Sequence, residues 1–164
     1  MKQFLKTLWT TSLVAAIWVL VGWLLLHLRG LDQKSGLVLP DWTPRVGLPV
    51  LVIGAIAVLG CGGLLSTRGI LSRHGEDRLF PTQFIAFGPF RYVRNPMSLG
   101  AVILIAGIGL CGRSGYVLAV AALAFVFFHG VVIFVEEPGL EQRFGESYSI
   151  YKSRVNRWLP RWPG

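Results

Sequence analysis

Four stretches without a single Asp, Glu, Lys or Arg, residues 8–26, 46–65, 97–111 and 116–135, decide what this chain can fold into. About 20 apolar residues are needed to cross a hydrocarbon core of about 30 Å as a helix. Three of the runs have near that length. The third has 15 residues, about 22 Å of helix at 1.5 Å per residue, so it must borrow flanking residues, thin the bilayer or pack against its neighbours. The expectation is an all-α, polytopic membrane protein, one integral domain with four transmembrane helices at about 8–28, 46–66, 96–112 and 115–135. Charge content agrees: 15% of the residues are charged, where a soluble domain carries about 25%.

The first run follows Lys2 and Lys6, as a signal peptide would. It exceeds the 7–15 apolar residues of such a segment and leads into His27-Leu28-Arg29 rather than a small-residue cleavage site, so it reads as a retained helix. Cys61 and Cys111 lie in apolar surroundings without a second Cys or His at ligand spacing, which excludes a zinc motif and a disulfide framework. No metal site is expected.

Basic residues set the orientation. Twelve of the 16 Lys and Arg fall in the N-terminus, the 67–95 connection and the C-terminal tail, against Arg29, Lys34, Arg45 and Arg113 on the other side. Both termini are therefore expected in the cytoplasm. The net charge of +8 then follows from topology and from attraction to anionic lipid headgroups, with no need for nucleic acid as a partner.

Residues 29–45, with Gly30, Gly36, Pro40 and Pro44, read as an external loop. Gly54, Ala57, Cys61, Gly62 and Gly63 in the second run, and Gly100 and Gly107 in the third, are the small residues that let membrane helices approach closely. The 67–95 connection mixes charges, aromatics and turn residues and reads as an ordered lid or a loose loop. After Pro138, Leu140, Phe144, Tyr148, Tyr151 and Val155 recur at helical spacing, which predicts an amphipathic helix over about 138–155 on the cytoplasmic face.

Two polar clusters carry the chemistry: Arg91-Tyr92-Val93-Arg94-Asn95-Pro96 before the third run, and Glu136-Glu137-Pro138 after the fourth. The chain crosses the membrane twice between them, so both end on the same side. Two carboxylates facing arginines can hold a ligand bearing both signs of charge. Each cluster also has a purely structural reading, Asn95-Pro96 as an N-cap with Pro at the first helical position, and the Glu pair as solvated charges near a helix start. His129, within the fourth run, either faces a cavity or bonds a neighbouring helix. His27 and His74 read as ordinary interfacial or loop residues.

The stretch 88–97, Gly-Pro-Phe-Arg-Tyr-Val-Arg-Asn-Pro-Met, followed after two spans by 136–160, beginning Glu-Glu-Pro-Gly-Leu-Glu-Gln-Arg-Phe-Gly-Glu-Ser-Tyr, resembles the isoprenylcysteine carboxyl methyltransferase and phospholipid methyltransferase superfamily of integral membrane enzymes. The resemblance covers roughly the C-terminal half. It implies an S-adenosylmethionine cofactor at the cytoplasmic ends of the last two spans, closed over by the C-terminal helix. Arg94 and Glu137 are the implied catalytic residues, Arg94 to anchor an anionic group and Glu137 to orient or deprotonate the acceptor. Around the cofactor it implies Tyr92, Asn95, Pro96 and Leu99 from the first cluster and His129 and Glu136 from the last span. Leu140, Phe144, Tyr148 and Tyr151 complete that set from the terminal helix.

The chemistry of the residues agrees. The cofactor carries a sulfonium and an ammonium, which need acids and aromatic faces, a carboxylate, which needs an Arg or amide, and a flat adenine. No Gly-rich loop follows a predicted strand, which excludes the soluble doubly wound methyltransferase architecture. Two positions depart from the pattern Arg-His-Pro-x-Tyr common in the family: Asn95 cannot act as a base, and Ser98 lacks a ring. The implied activity is transfer of a methyl group to a membrane lipid or other amphiphile, a prenylcysteine carboxylate or a phospholipid amine. The alternatives are a sterol-reductase-like enzyme using a nicotinamide cofactor and a small non-catalytic membrane protein. No carboxylate lies inside a span, which disfavours proton-coupled transport.

Overall fold

A computed structural model describes residues 23, 24, 27, 28, 30–72 and 88–161, the side chains of 65–72 excepted. Most of the first expected span and residues 73–87 of the connection, His74 included, lie outside them. Among the described residues the structure is helical, with no strand beyond one isolated bridge between Val38 and Ser114. Helix α1 is Thr43–Ser72, a short tight turn follows at Gly88–Arg91, then α2, Pro96–Gly112, and α3, Gly115–Val131. One wide turn, Val132–Glu136, joins α3 to α4, Glu137–Phe144, and α5 is Glu146–Arg154.

Two stretches are long and apolar enough to cross a bilayer, Thr43–Leu64 with 22 residues and Gly115–Phe144 with 30. Pro96–Gly112 is equally apolar but short. The second and fourth expected spans thus coincide with helices of crossing length, and the third is a helix of 17 residues.

Short α2 is held by close antiparallel contact with α1. A Cβ on Gly47 would come within 2.6 Å of the Cys111 backbone nitrogen, and one on Gly100 within 2.7 Å of the Ala57 Cβ. Between these, a Cβ on Gly54 would collide with the Leu104 backbone and one on Gly107 with the Leu51 backbone. Small residues therefore line both sides of the contact along its length, as expected where no water drives helices together and dispersion must do so. Gly62 and Gly63, expected to share this role, face open space.

The α2–α3 connection is a two-residue turn. Arg113 adopts the left-handed conformation (φ 58°) and donates its N–H to Leu110 O. Buried Ser114 caps α3 by accepting from Val117 N–H at 3.1 Å. The preceding loop packs on this turn: Leu39 N–H donates to Arg113 O, Gly115 N–H to Leu37 O, and the Arg113 side chain pairs with Asp41.

Pro138 does not start a new helix, as its sequence context suggested. It lacks the N–H that an α-helix needs and its ring crowds the carbonyl four residues back. The chain accommodates this in the turn before it, which widens over Val132–Glu136, and the helix runs on to Phe144. The single helix expected over 138–155 is instead two, broken at Gly145, whose φ of 53° and ψ of −128° suit only glycine. The apolar stripe survives the break: buried Tyr148, Tyr151 and Val155 form one cluster with Leu140 and Phe144 packed on it.

Candidate functional site

The loop entering α2, the start of α4 and the segment after α5 meet at one end of the helices. Pro96 occupies the first turn of α2, where a missing N–H is not felt. Asn95 holds the N-cap position but makes no capping bond; its Nδ2 faces the Arg157 carbonyl at 3.5 Å. The tail runs beside this loop. Arg94 N–H donates to Asn156 O and Arg161 N–H donates to Tyr92 O, both at 2.9 Å.

These backbone bonds set up a buried ionic cluster. Glu137 is 5% exposed. Arg157 grips it in a forked arrangement, Nε to Oε1 at 2.7 Å and Nη2 to Oε2 at 2.9 Å. Arg94 Nη1 lies 2.9 Å from Oε1, and Lys152 Nζ 3.7 Å from Oε2. Glu137 lies beyond the apolar run, which ends at Val135. Burial alone would raise its pKa, but the Arg157 hydrogen bonds and the charges of Arg94, Arg157 and Lys152 outweigh burial and hold the carboxyl below its usual range. Its partner Arg157 is pushed up in turn, first by that hydrogen bond. Lys152 is raised chiefly by its bond to Glu141 at 2.6 Å.

Glu136, one residue earlier, faces elsewhere. It is exposed and lines a cavity of about 270 Å3 together with Phe90, Arg94, Asn95, Met97, Ser98, Ala101 and Phe128. Arg94 thus touches both features. Its side chain is 10% exposed, and its Nε is buried without a hydrogen-bond partner.

The other expected residues distribute around this centre. Tyr92 is exposed, Pro96 is buried, and Leu99 is half-buried one turn into α2. Tyr148 and Tyr151 point into the cap cluster with Leu140 and Phe144 rather than into the cavity. The Tyr151 hydroxyl donates to Phe90 O at 2.7 Å, which ties the cap to the turn before α2. Burial raises both phenols, reinforced at Tyr148 by the Glu137 charge and at Tyr151 by Tyr148.

His129 accepts a hydrogen bond from the Trp158 indole, Nε1 to Nδ1 at 2.9 Å, and Phe125 packs against the Trp158 ring at 5.1 Å between centroids. Trp158→Phe keeps the ring and removes the donor. It should lower the thermal midpoint of detergent-solubilised protein by the equivalent of about 1 kcal/mol, the net worth of such a bond; an unchanged midpoint would show that the contact contributes nothing.

Sequence reasoning left Arg157 and Trp158 without roles, and did not place Phe90, Met97 or Phe128 at a cavity. Arg157 lies 20 residues from Glu137, a separation that no local periodicity reveals. Its one sequence signal was membership of the 136–160 stretch that carries the resemblance.

The sequence profile of the phospholipid methyltransferase family matches residues 46–147. That span takes in α1 from its fourth residue, all of α2 and α3, and both Arg94 and the Glu pair. No curated protein gives a significant match. The matched region is well over half of the chain and contains the ionic cluster's central pair, so the chain belongs to the phospholipid methyltransferase family, a family of membrane methyltransferases.

Proposed function

We infer that the protein is an S-adenosylmethionine-dependent methyltransferase acting on a lipid or other amphiphile presented from the bilayer. It has four spans, with both termini in the cytoplasm. The observation that carries the reading is the cavity in which an exposed carboxylate, Glu136, and a guanidinium with an unpartnered Nε, Arg94, face a common space with two aromatic rings. The chemistry of this set fits the cofactor: Glu136 for its cationic groups, Arg94 and Asn95 for its carboxylate, and Phe90 and Phe128 for the flat base.

When bound, the cofactor supplies an electrophilic methyl group on positively charged sulfur. The chain's own contribution is placement and dryness. Phe90, Met97 and Phe128 keep water from the cavity, where charge must move off sulfur. Arg94 Nε offers a donor to an anionic group. Glu136 is the carboxylate among the lining residues, and so the group placed to hold a cationic centre or to take a proton from an acceptor. Glu137, expected from the sequence to deprotonate the acceptor, is engaged by three cations; it acts as a positioning residue that fixes Arg94. Exposed Arg91, Arg143, Arg154 and Arg161 at the same end suit anionic lipid headgroups.

The test is calorimetric titration of S-adenosylmethionine and its demethylated product into the detergent-purified protein. Saturable binding is expected, weakened at least tenfold in Glu136→Ala and in Arg94→Lys. Absence of binding to the folded wild type would overturn the reading, and binding of a nicotinamide cofactor in its place would favour a reductase.

A further inference from the structure

At the opposite end of α2 from the ionic cluster, about 26 Å away along 17 residues, a second polar site is built from the 29–45 loop and the α2–α3 turn. Asp32 is 1% exposed. Its Oδ1 accepts the Tyr116 N–H at 3.1 Å, in the first turn of α3, while its Oδ2 is buried with no hydrogen-bond partner. A buried ionised oxygen left without a donor is costly. Asp32 lines a cavity of about 90 Å3 shared with Gln33, Val38, Gly112 and Arg113.

We propose that this cavity binds the headgroup of a phospholipid bearing a primary ammonium, the ammonium donating to Asp32 Oδ2 and the phosphate meeting Arg113. Three observations select this chemistry. The orphaned acceptor calls for a donor, and a cationic N–H is the strongest partner for a carboxylate. The guanidinium beside it opposes a bare metal ion but matches an anion attached to the ammonium; of its five donors, Nε is given to Leu39 O and Nη1 to Asp41. No group of three or more His, Cys, Asp or Glu able to hold a metal exists among the described residues. Finally, the rim exposes Leu31, Leu37, Val38 and Trp42, apolar residues with the tryptophan that marks a membrane interface. A quaternary ammonium has no N–H to give and is too bulky for 90 Å3, so the site discriminates by hydrogen bonding.

The inference rests on the membrane location of the chain and is independent of methyl transfer. Its test is thermal unfolding of the full-length protein in micelles doped with phosphatidylethanolamine, phosphatidylcholine or phosphatidylglycerol at equal mole fraction. Phosphatidylethanolamine should raise the midpoint by several degrees more than phosphatidylcholine does. Asp32→Asn retains the oxygen that accepts from Tyr116 and should lose that difference. Glu136→Ala, at the other end, should keep it, which separates this site from the methyl-acceptor site. Equal stabilisation of the wild type by both zwitterionic lipids would overturn the proposal, because only water would then occupy the cavity. So would loss of the difference in Glu136→Ala with retention in Asp32→Asn. Should Asp32→Asn fail to fold, the wild-type comparison among the three lipids and the Glu136→Ala result still decide.

Discussion

Glu137→Ala should lower the unfolding free energy of the solubilised protein by about 3–5 kcal/mol, the range found when one partner of a buried ion pair is removed, and should abolish methyl transfer. The cost comes less from the lost attraction than from what remains: Arg94, 10% exposed, would lie buried opposite Arg157 with no anion between them. Glu137→Gln keeps the shape and one acceptor and should fall between. Arg157→Lys removes the fork that matches both carboxylate oxygens and should cost more than a surface Arg→Lys exchange. The pH dependence has a definite sign. The folded pKa of Glu137 is depressed, so its contribution is complete above the ordinary carboxylate value of about 4.3. It is lost as pH falls below that value through the depressed one. Melting curves between pH 7 and pH 3 should therefore show the wild type losing stability below about pH 4, with Glu137→Ala losing less over the same interval. A Glu137→Ala protein with the wild-type midpoint would refute the cluster's structural role.

Gly107→Val is the second large effect. Any Cβ at this position meets the Leu51 backbone, and backbone cannot rotate aside as a side chain can. The helices must separate, which gives up dispersion along the whole α1–α2 contact. Overpacking of this kind costs about 1–3 kcal/mol and sometimes more. Gly54→Val should behave alike, because its Cβ meets the Leu104 backbone. Gly62→Ala, facing open space in the same α1, should be neutral or slightly stabilising, since alanine is the better helix former. Unfolding in detergent measures all three; equal midpoints for Gly107→Val and Gly62→Ala would mean that close approach does not hold α2 in place.

Much of this architecture was legible because helices in an apolar medium follow from runs of uncharged residues, and two such runs fixed that Arg94 and the Glu pair share one end. Pro96 at the head of α2 was equally local information. Gly145 was not read as a break, because Leu140, Phe144, Tyr148, Tyr151 and Val155 keep helical spacing across it; two helices folded on one cluster produce the same pattern as one helix. Glu136 and Glu137 are chemically identical in sequence, and only their directions in space separate the carboxylate that meets three cations from the one that meets the cavity. Arg157 needed the path of the tail, which backbone bonds to residues 92 and 94 determine.

The wide turn at Val132–Glu136 makes this stretch sensitive to length and tolerant of composition. Phe134 and Val135 are 79% and 65% exposed, so other apolar residues can replace them as evolution drifts. Deleting one residue would restore regular winding and rotate everything after it by about 100°. Glu137 would then swing away from Arg94 and Arg157. Insertions and deletions are therefore barred from the five residues before Glu137, and the spacing from the apolar run to the Glu pair is under stricter selection than the residues that fill it.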